Sequence, residues 1–357
     1  MARHPIQGRA RRHNGRRVSK AAGQQANSAA ASSRRRRLIT IAATLIGLAV
    51  ATAVIGYYNF GTVLEAMKPI GVGGFLAVIA TQLVLFVPLG IAWWLVAPRE
   101  PSSRAPVFVW ARLLREASSD VLPFSQLGAI VVAARAMVLG GVDASVAIGS
   151  ITVDITIEMI GQLIYTLVGI GLLAHQLGFS AFRHSLAAAA LGGVVVAILV
   201  VGSIILLQRR GLNLIVKLVD RLAPVAGRQA DAVVDAIQAA HASPGRMMLG
   251  LTLHLICWFG AAAGSWLILS FIGHPLPYLS VVAIESLLFA IRNAAFAAPS
   301  GLGVQEGAYV LLGPLFGLPP ETALALSLLK RARDIAIGIP MLLSWQLLEN
   351  RRVLHTI

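Results

Sequence analysis

The sequence predicts an all-α polytopic membrane protein: about six full transmembrane helices plus two broken or re-entrant helical hairpins, arranged as an inverted repeat. Three observations carry this. The chain is 57% hydrophobic and 13% charged, with a mean hydropathy of +0.77, whereas soluble domains carry about 25% charged residues. Six apolar runs reach the roughly 20 residues needed to cross a hydrocarbon core. Two further apolar stretches are interrupted by proline, glycine and charge.

Residues 1–37 hold eleven Lys/Arg and no acid, leaving about four of the net +15 charges for the remaining chain. This basic segment is expected to be a disordered cytoplasmic tail. It has no aromatic residue to stack on a base, so nucleic acid is not its expected partner. Arg34, Arg35, Arg36 and Arg37 directly precede the first apolar run. Their expected work is to orient that span and to touch anionic lipid head groups. The basic region is too long for a cleavable signal peptide.

A membrane domain is expected over residues 38–350, with spans at 38–58, 70–97, 145–173, 185–207, 247–272 and 321–348. The first broken stretch, 120–141, contains Pro123, Gly128, Arg135 and Gly140. The second, 280–317, contains Glu285, Arg292, Pro299, Gly301, Gly303, Gly307, Gly313 and Pro314. Open backbone at membrane depth is tolerated only inside protein or facing water, which suits re-entrant hairpins. Orientation follows from the loops. Segment 98–119 carries Arg99, Arg104, Arg112 and Arg115, and the linker 208–246 carries six Lys/Arg. Segments 59–69, 174–184 and 273–279 carry one, one and none. The bias places both termini in the cytoplasm. Within the linker, residues 211–240 read as an amphipathic cytoplasmic helix, with Leu212, Ile215, Val219 and Leu222 on one face.

Shifting the chain by 176 residues lays units 70–173 and 247–348 over one another. Pro123 meets Pro299, Gly141 meets Gly317, Asp154 meets Lys330 and Glu158 meets Asp334. The topology above makes the matched units run in opposite directions, an architecture shared by many secondary transporters.

The last span contains Lys330, Arg331, Arg333 and Asp334, and each charge at a helix centre costs about 2.5–3.5 kcal/mol. Such residues persist when they pair or line a polar cavity. Asp154 and Glu158, four apart, share a helix face. The two charged stripes are therefore expected to face each other, directly or across a hydrated cavity. A purely structural ion-pair network is the plainer alternative. The single Cys257 offers no disulfide, and His175, His184, His241, His254 and His274 are scattered without metal-ligand spacing. No cofactor and no metal is expected, and His254 reads as a helix-contact residue.

Pro299-Ser300-Gly301-Leu302-Gly303-Val304-Gln305-Glu306-Gly307, followed by Ser327-Leu328-Leu329-Lys330-Arg331, resembles the signature of the flippase-like membrane domain of lysylphosphatidylglycerol synthases. Leu122 to Gly128 with Ala133-Ala134-Arg135-Ala136 is most similar to the HpnL-type proteins of hopanoid biosynthesis clusters, and Asp154, Glu158, Arg292 and 326–334 agree with that type. The resemblance implies a bacterial inner-membrane lipid transporter or flippase, with a hopanoid or hopanoid-associated lipid as cargo and lipid-biosynthesis enzymes as partners. The expected substrate-binding residues are Lys330, Arg331, Arg333, Arg292, Gly301 and Gly303. Asp154, Glu158, Glu306 and Asp334 are expected to balance charge or carry a proton. Glycines at 301 and 303 allow close backbone approach, and a helix starting near Gln305 would aim its free N–H groups at an anion. Glu306 is placed to cap that helix or to pair with Arg331 or Arg333. A lipid-modifying enzyme and an accessory subunit are the other function classes. The chain shows no evident nucleophile–base pair, nucleotide-binding loop or soluble transferase domain, so transport is the leading expectation.

Overall fold

The computed structural model describes residues 61, 65, 67–121, 126–177, 234–235, 237–239, 242–294 and 303–355. The basic tail, the expected spans at 38–58 and 185–207, and residues 211–233 of the expected amphipathic linker helix lie outside the described residues. Gly301 and the rest of the 295–302 turn do so as well.

A 3-10 turn, Lys68–Ile70, leads into α1, Gly71–Val96. There follow α2, Ala105–Val121; α3, Gln126–Leu139; and α4, Ala144–Leu177. The second half repeats the order with α5, Pro244–Phe271; α6, Tyr278–Ala294; α7, Val304–Leu312; and α8, Pro320–His355. No strand occurs among the described residues. A long helix, a 17-residue helix, a short helix and a helix of over 30 residues appear twice, in that order. Among the described residues, 68–96, 144–176 and 244–271 are long and apolar enough to cross a membrane. Residues 320–355 form one continuous helix rather than a span ending near 348, and the charges at its middle lower its apolar character.

The segment 98–119, expected as a cytoplasmic loop, is largely α2. The error has a clear source. Its arginines invited a positive-inside reading, yet Arg112 and Arg115 lie within a helix and are buried. The second broken stretch, 280–317, contains both α6 and α7, packed on each other, whereas the first, 120–141, contains only α3 in full, whose packing partner α2 comes from the segment expected as a loop.

Packing crosses between the halves. Helix α1 lies on its counterpart α5, while α2 packs along α8 and α6 packs along α4. Each short hairpin helix thus rests on the long last helix of the other half. Two cores result. One gathers Trp93, Phe108, Leu114, Met137 and Ile151 from the first half, and the other Ile268, Ile284, Leu288, Tyr309 and Leu326 from the second. Alanines at 111, 133, 136, 147, 323 and 325 are buried at these contacts, as close helix packing in an apolar solvent requires. Large apolar side chains such as Val72, Leu76, Val84, Leu311 and Leu343 remain exposed, as a lipid-facing surface permits.

Gly141 and Gly317, matched by the repeat, both adopt positive φ, 90° and 80°, at the turn from the short helix into the long one. Val142 N–H reaches Met137 O, and Leu318 N–H reaches Gly313 O, each at 3.0 Å. Each is a glycine-terminated helix end. Asp143 then opens α4, accepting from Ser145 N–H at 2.8 Å. The Ser145 hydroxyl and amide hold the Asp143 carboxyl below its ordinary range.

Helix α2 approaches α1 so closely that a Cβ on Gly90 would overlap the Val109 backbone. Gly90→Ala should therefore lower stability by about 1–3 kcal/mol, read as a fall in thermal midpoint of the detergent-solubilised chain. Gly171→Ala, where a Cβ meets nothing within 4 Å, should leave the midpoint unchanged or slightly raised. An unchanged midpoint for Gly90→Ala would show that the α1–α2 contact is wider than described.

Candidate functional site

Among the described residues, apart from the more exposed Arg135–Glu349 pair between α3 and α8, the ion-paired side chains within α1–α8 form three groups. The first joins α2 to α4. Arg112 and Arg115 lie one turn apart and share a face, as do Asp154 and Glu158. Arg112 donates to Asp154 at 3.3 Å and to Glu158 at 2.7 Å. Arg115 donates to Asp154 at 3.1 Å and also to Glu158. Glu116 adds a 2.9 Å ion pair to Arg112. From α5, His254 Nε2 lies 3.1 Å from the second oxygen of Asp154. Asp154 is 1% exposed, so Arg112, Arg115 and His254 take the place of the water it has lost.

The second group ties α6, α7 and α8. Lys330 Nζ donates to Glu285 and to the Tyr309 hydroxyl, both at 2.6 Å, and Tyr309 in turn donates to Glu285. Glu285 is 0% and Lys330 6% exposed. The ammonium is thus consumed within the protein.

The third group lies where the two hairpins meet. Asp120, near the end of α2, is 3.7 Å from Arg292, near the end of α6. Arg331 Nε and Nη2 donate to Glu306 at 2.9 and 2.7 Å, and Arg333 donates to Asp334 at 2.9 and 2.6 Å. Gly303 has φ 76°, and its N–H donates at 2.9 Å to the other Glu306 oxygen. Helix α7 therefore begins at Val304, and its entry is closed by its own carboxylate. Gln305 donates to Ser327 Oγ at 3.0 Å. Asp120, Arg292, Gln305, Arg331 and Asp334 line a narrow recess with room for about one water.

A profile of the lysylphosphatidylglycerol synthase TM region matches residues 41–340. The chain belongs to this family. The match spans both four-helix units and all three charged groups of the family domain. No curated protein and no solved structure matches. Among the described residues of the domain, no group of three or more His, Cys, Asp or Glu side chains is set to hold a metal ion.

Set against the sequence expectation, the family domain divides the predicted residues. Arg331, Arg292, Asp334 and Glu306 come together around the recess, with Gly303 behind Glu306 and Arg333 held on Asp334. The two stripes do not neutralise each other. Asp154 and Glu158 are taken by Arg112 and Arg115, and Lys330 by Glu285, because the hairpin helices α2 and α6 supply nearer counter-charges. Gly303, expected to let the backbone approach a head group, gives its own N–H to Glu306. Arg112 and Arg115 were expected as loop charges and Glu285 as an interruption, while Asp120 and Tyr309 were not singled out. Signals existed. Arg112 and Arg115 sit at helical spacing in a segment rich in Val, Phe, Trp and Leu, and Glu285 stands in the apolar run 281–290. His254 is the helix-contact residue it was expected to be, with Asp154 as its partner.

Removing one partner of the Lys330–Glu285 pair strands the other in a dry interior. Lys330→Met should cost about 3–5 kcal/mol, and Lys330→Met with Glu285→Gln should recover most of it. Thermal unfolding of the two single variants and the double variant checks this; strictly additive losses would show that the pair is not coupled.

Proposed function

We propose that this chain is a membrane-lipid transporter of the flippase type, which passes a lipid head group through the recess while the apolar part stays in the bilayer. The observation that carries this reading is the recess itself. The ends of α2 and α6, the start of α7 and the middle of α8 bring Asp120, Arg292, Gln305, Arg331 and Asp334 to one place in the helical domain. Intramembrane ionisable groups around a cavity mark substrate pathways by default. The repeated helix order and the exchange of hairpin contacts between halves support a transporter built from two oppositely directed units meeting near the midplane. A lipid-related role is in keeping with the family.

On this reading Arg292 and Arg331 contact the head group, with Asp120, Asp334 and Gln305 beside them. Lys330 and Glu285 lock α6 to α8, and Arg112, Arg115, Asp154 and Glu158 lock α2 to α4. The cargo we propose is a hopanoid or a hopanoid-associated lipid, on the HpnL-like segments 122–136 and 326–334. The proposed setting is the bacterial inner membrane, with both termini cytoplasmic, the basic tail on anionic lipid heads and lipid-biosynthesis enzymes as neighbours.

Reconstitution into liposomes carrying fluorescent head-group-labelled lipid, with a membrane-impermeant quencher outside, measures exchange between leaflets. Wild-type protein should speed exchange, and Arg292→Ala or Arg331→Ala should slow it at least about tenfold, the equivalent of one lost charge contact. Unaltered exchange in both variants would remove the recess from the pathway, and no exchange by the wild type would sink the transport reading.

A further inference from the structure

The charge arithmetic of the recess restricts the head group it can hold, given the lipid-transport reading on which this step rests. Three cations, Arg292, Arg331 and Arg333, stand with three carboxylates, Asp120, Glu306 and Asp334. Their formal charges sum to zero before any ligand arrives. Arg331 and Arg333 each place two N–H donors on one carboxylate oxygen, at 2.6–2.9 Å. Those pairs are made, although Arg331, at the recess wall, keeps Nη1 without a bond to a described residue. Arg292 and Asp120 differ: at 3.7 Å they are too far apart for a hydrogen bond, and their side chains are 21% and 25% exposed. No described residue donates a hydrogen bond to Asp120. One positive and one negative group, brought by different hairpins, thus stand side by side with hydrogen-bonding capacity unspent.

We infer that the recess takes a zwitterionic lipid head group, with its ammonium on Asp120 and its phosphate on Arg292. A guest carrying both charges gives each member of the loose pair an opposite partner and leaves the sum of formal charges at zero. A simple anion satisfies Arg292 but sets a second negative charge against Asp120 and Asp334. A simple cation meets the mirror problem with Arg292 and Arg331. Gln305 adds a neutral side chain at the wall and favours neither sign. Because the two binding charges come from α2 and α6, the guest also ties together the ends of the two hairpins.

Titrating the detergent-solubilised full chain with phosphatidylethanolamine or phosphatidylglycerol of identical acyl chains, with bound lipid counted by native mass spectrometry, tests this without requiring transport. The wild type should prefer phosphatidylethanolamine by up to about fivefold, the size of one partly screened ion pair. Asp120→Asn and Arg292→Gln should each erase most of that preference, while Asp120→Glu should keep it. Either neutral variant suffices if the other fails to fold. Equal binding of the two lipids by the wild type, or a preference that survives in the neutral variants, overturns the proposal. Preferential binding without leaflet exchange would leave it standing and sink the transport reading. Exchange without head-group preference would do the reverse. Glycerophosphoethanolamine binding as tightly as the lipid would assign the recess to a water-soluble zwitterion and remove the lipid from it.

Discussion

Charge buried in an apolar helical domain has to be neutralised from another helix, and the architecture is organised around that need. Arg112 and Arg115 of α2 meet Asp154 and Glu158 of α4, and Lys330 of α8 meets Glu285 of α6. Each set fixes a hairpin helix against the long last helix of its own half. Leaving any of these groups alone would cost several kcal/mol, so the helices cannot slide past one another without breaking a pair. Apolar packing alone discriminates weakly between helix partners when the surroundings are equally apolar. The ion pairs supply the register that packing leaves loose.

The two locks are similar in placement and opposite in sign. In the first half the hairpin helix brings cations to carboxylates; in the second it brings a carboxylate to a cation. Asp154 and Lys330, matched across the repeat, are the reversed pair. What the halves share is a geometric requirement rather than a chemical identity. A polar group on the long helix needs a counter-charge one helix away, and either sign meets it. Gly141 and Gly317 keep their identity, since both turns need a left-handed backbone that side-chain-bearing residues seldom adopt.

Where the hairpins meet, the neutralisation is incomplete. Arg331 and Arg333 are paired with neighbouring carboxylates, whereas Arg292 and Asp120 stand apart and partly open. The working recess we propose is thus distinguished by how loosely its charges are held, and not by how many it has. Lys330, the most conspicuous charge in the chain, is among the least available, with its ammonium enclosed by Glu285 and Tyr309.

The sequence by itself determined the helical membrane class, the expensive charges on the last long helix, the second broken hairpin and the matched glycines. Each rests on local composition or on spacing along one helix. The association of Glu306 with Arg331 was also within its reach, as one of the arrangements open to that carboxylate. Tertiary structure alone decided which charge meets which. The partners Arg112 with Glu158 and Glu285 with Lys330 lie 46 and 45 residues apart in sequence, and no periodicity links them. It also turned the arginine-bearing segment 98–119 from an expected loop into a buried helix. A run of arginines reads as a solvated loop until the carboxylates that neutralise it are brought alongside, and only the fold does that.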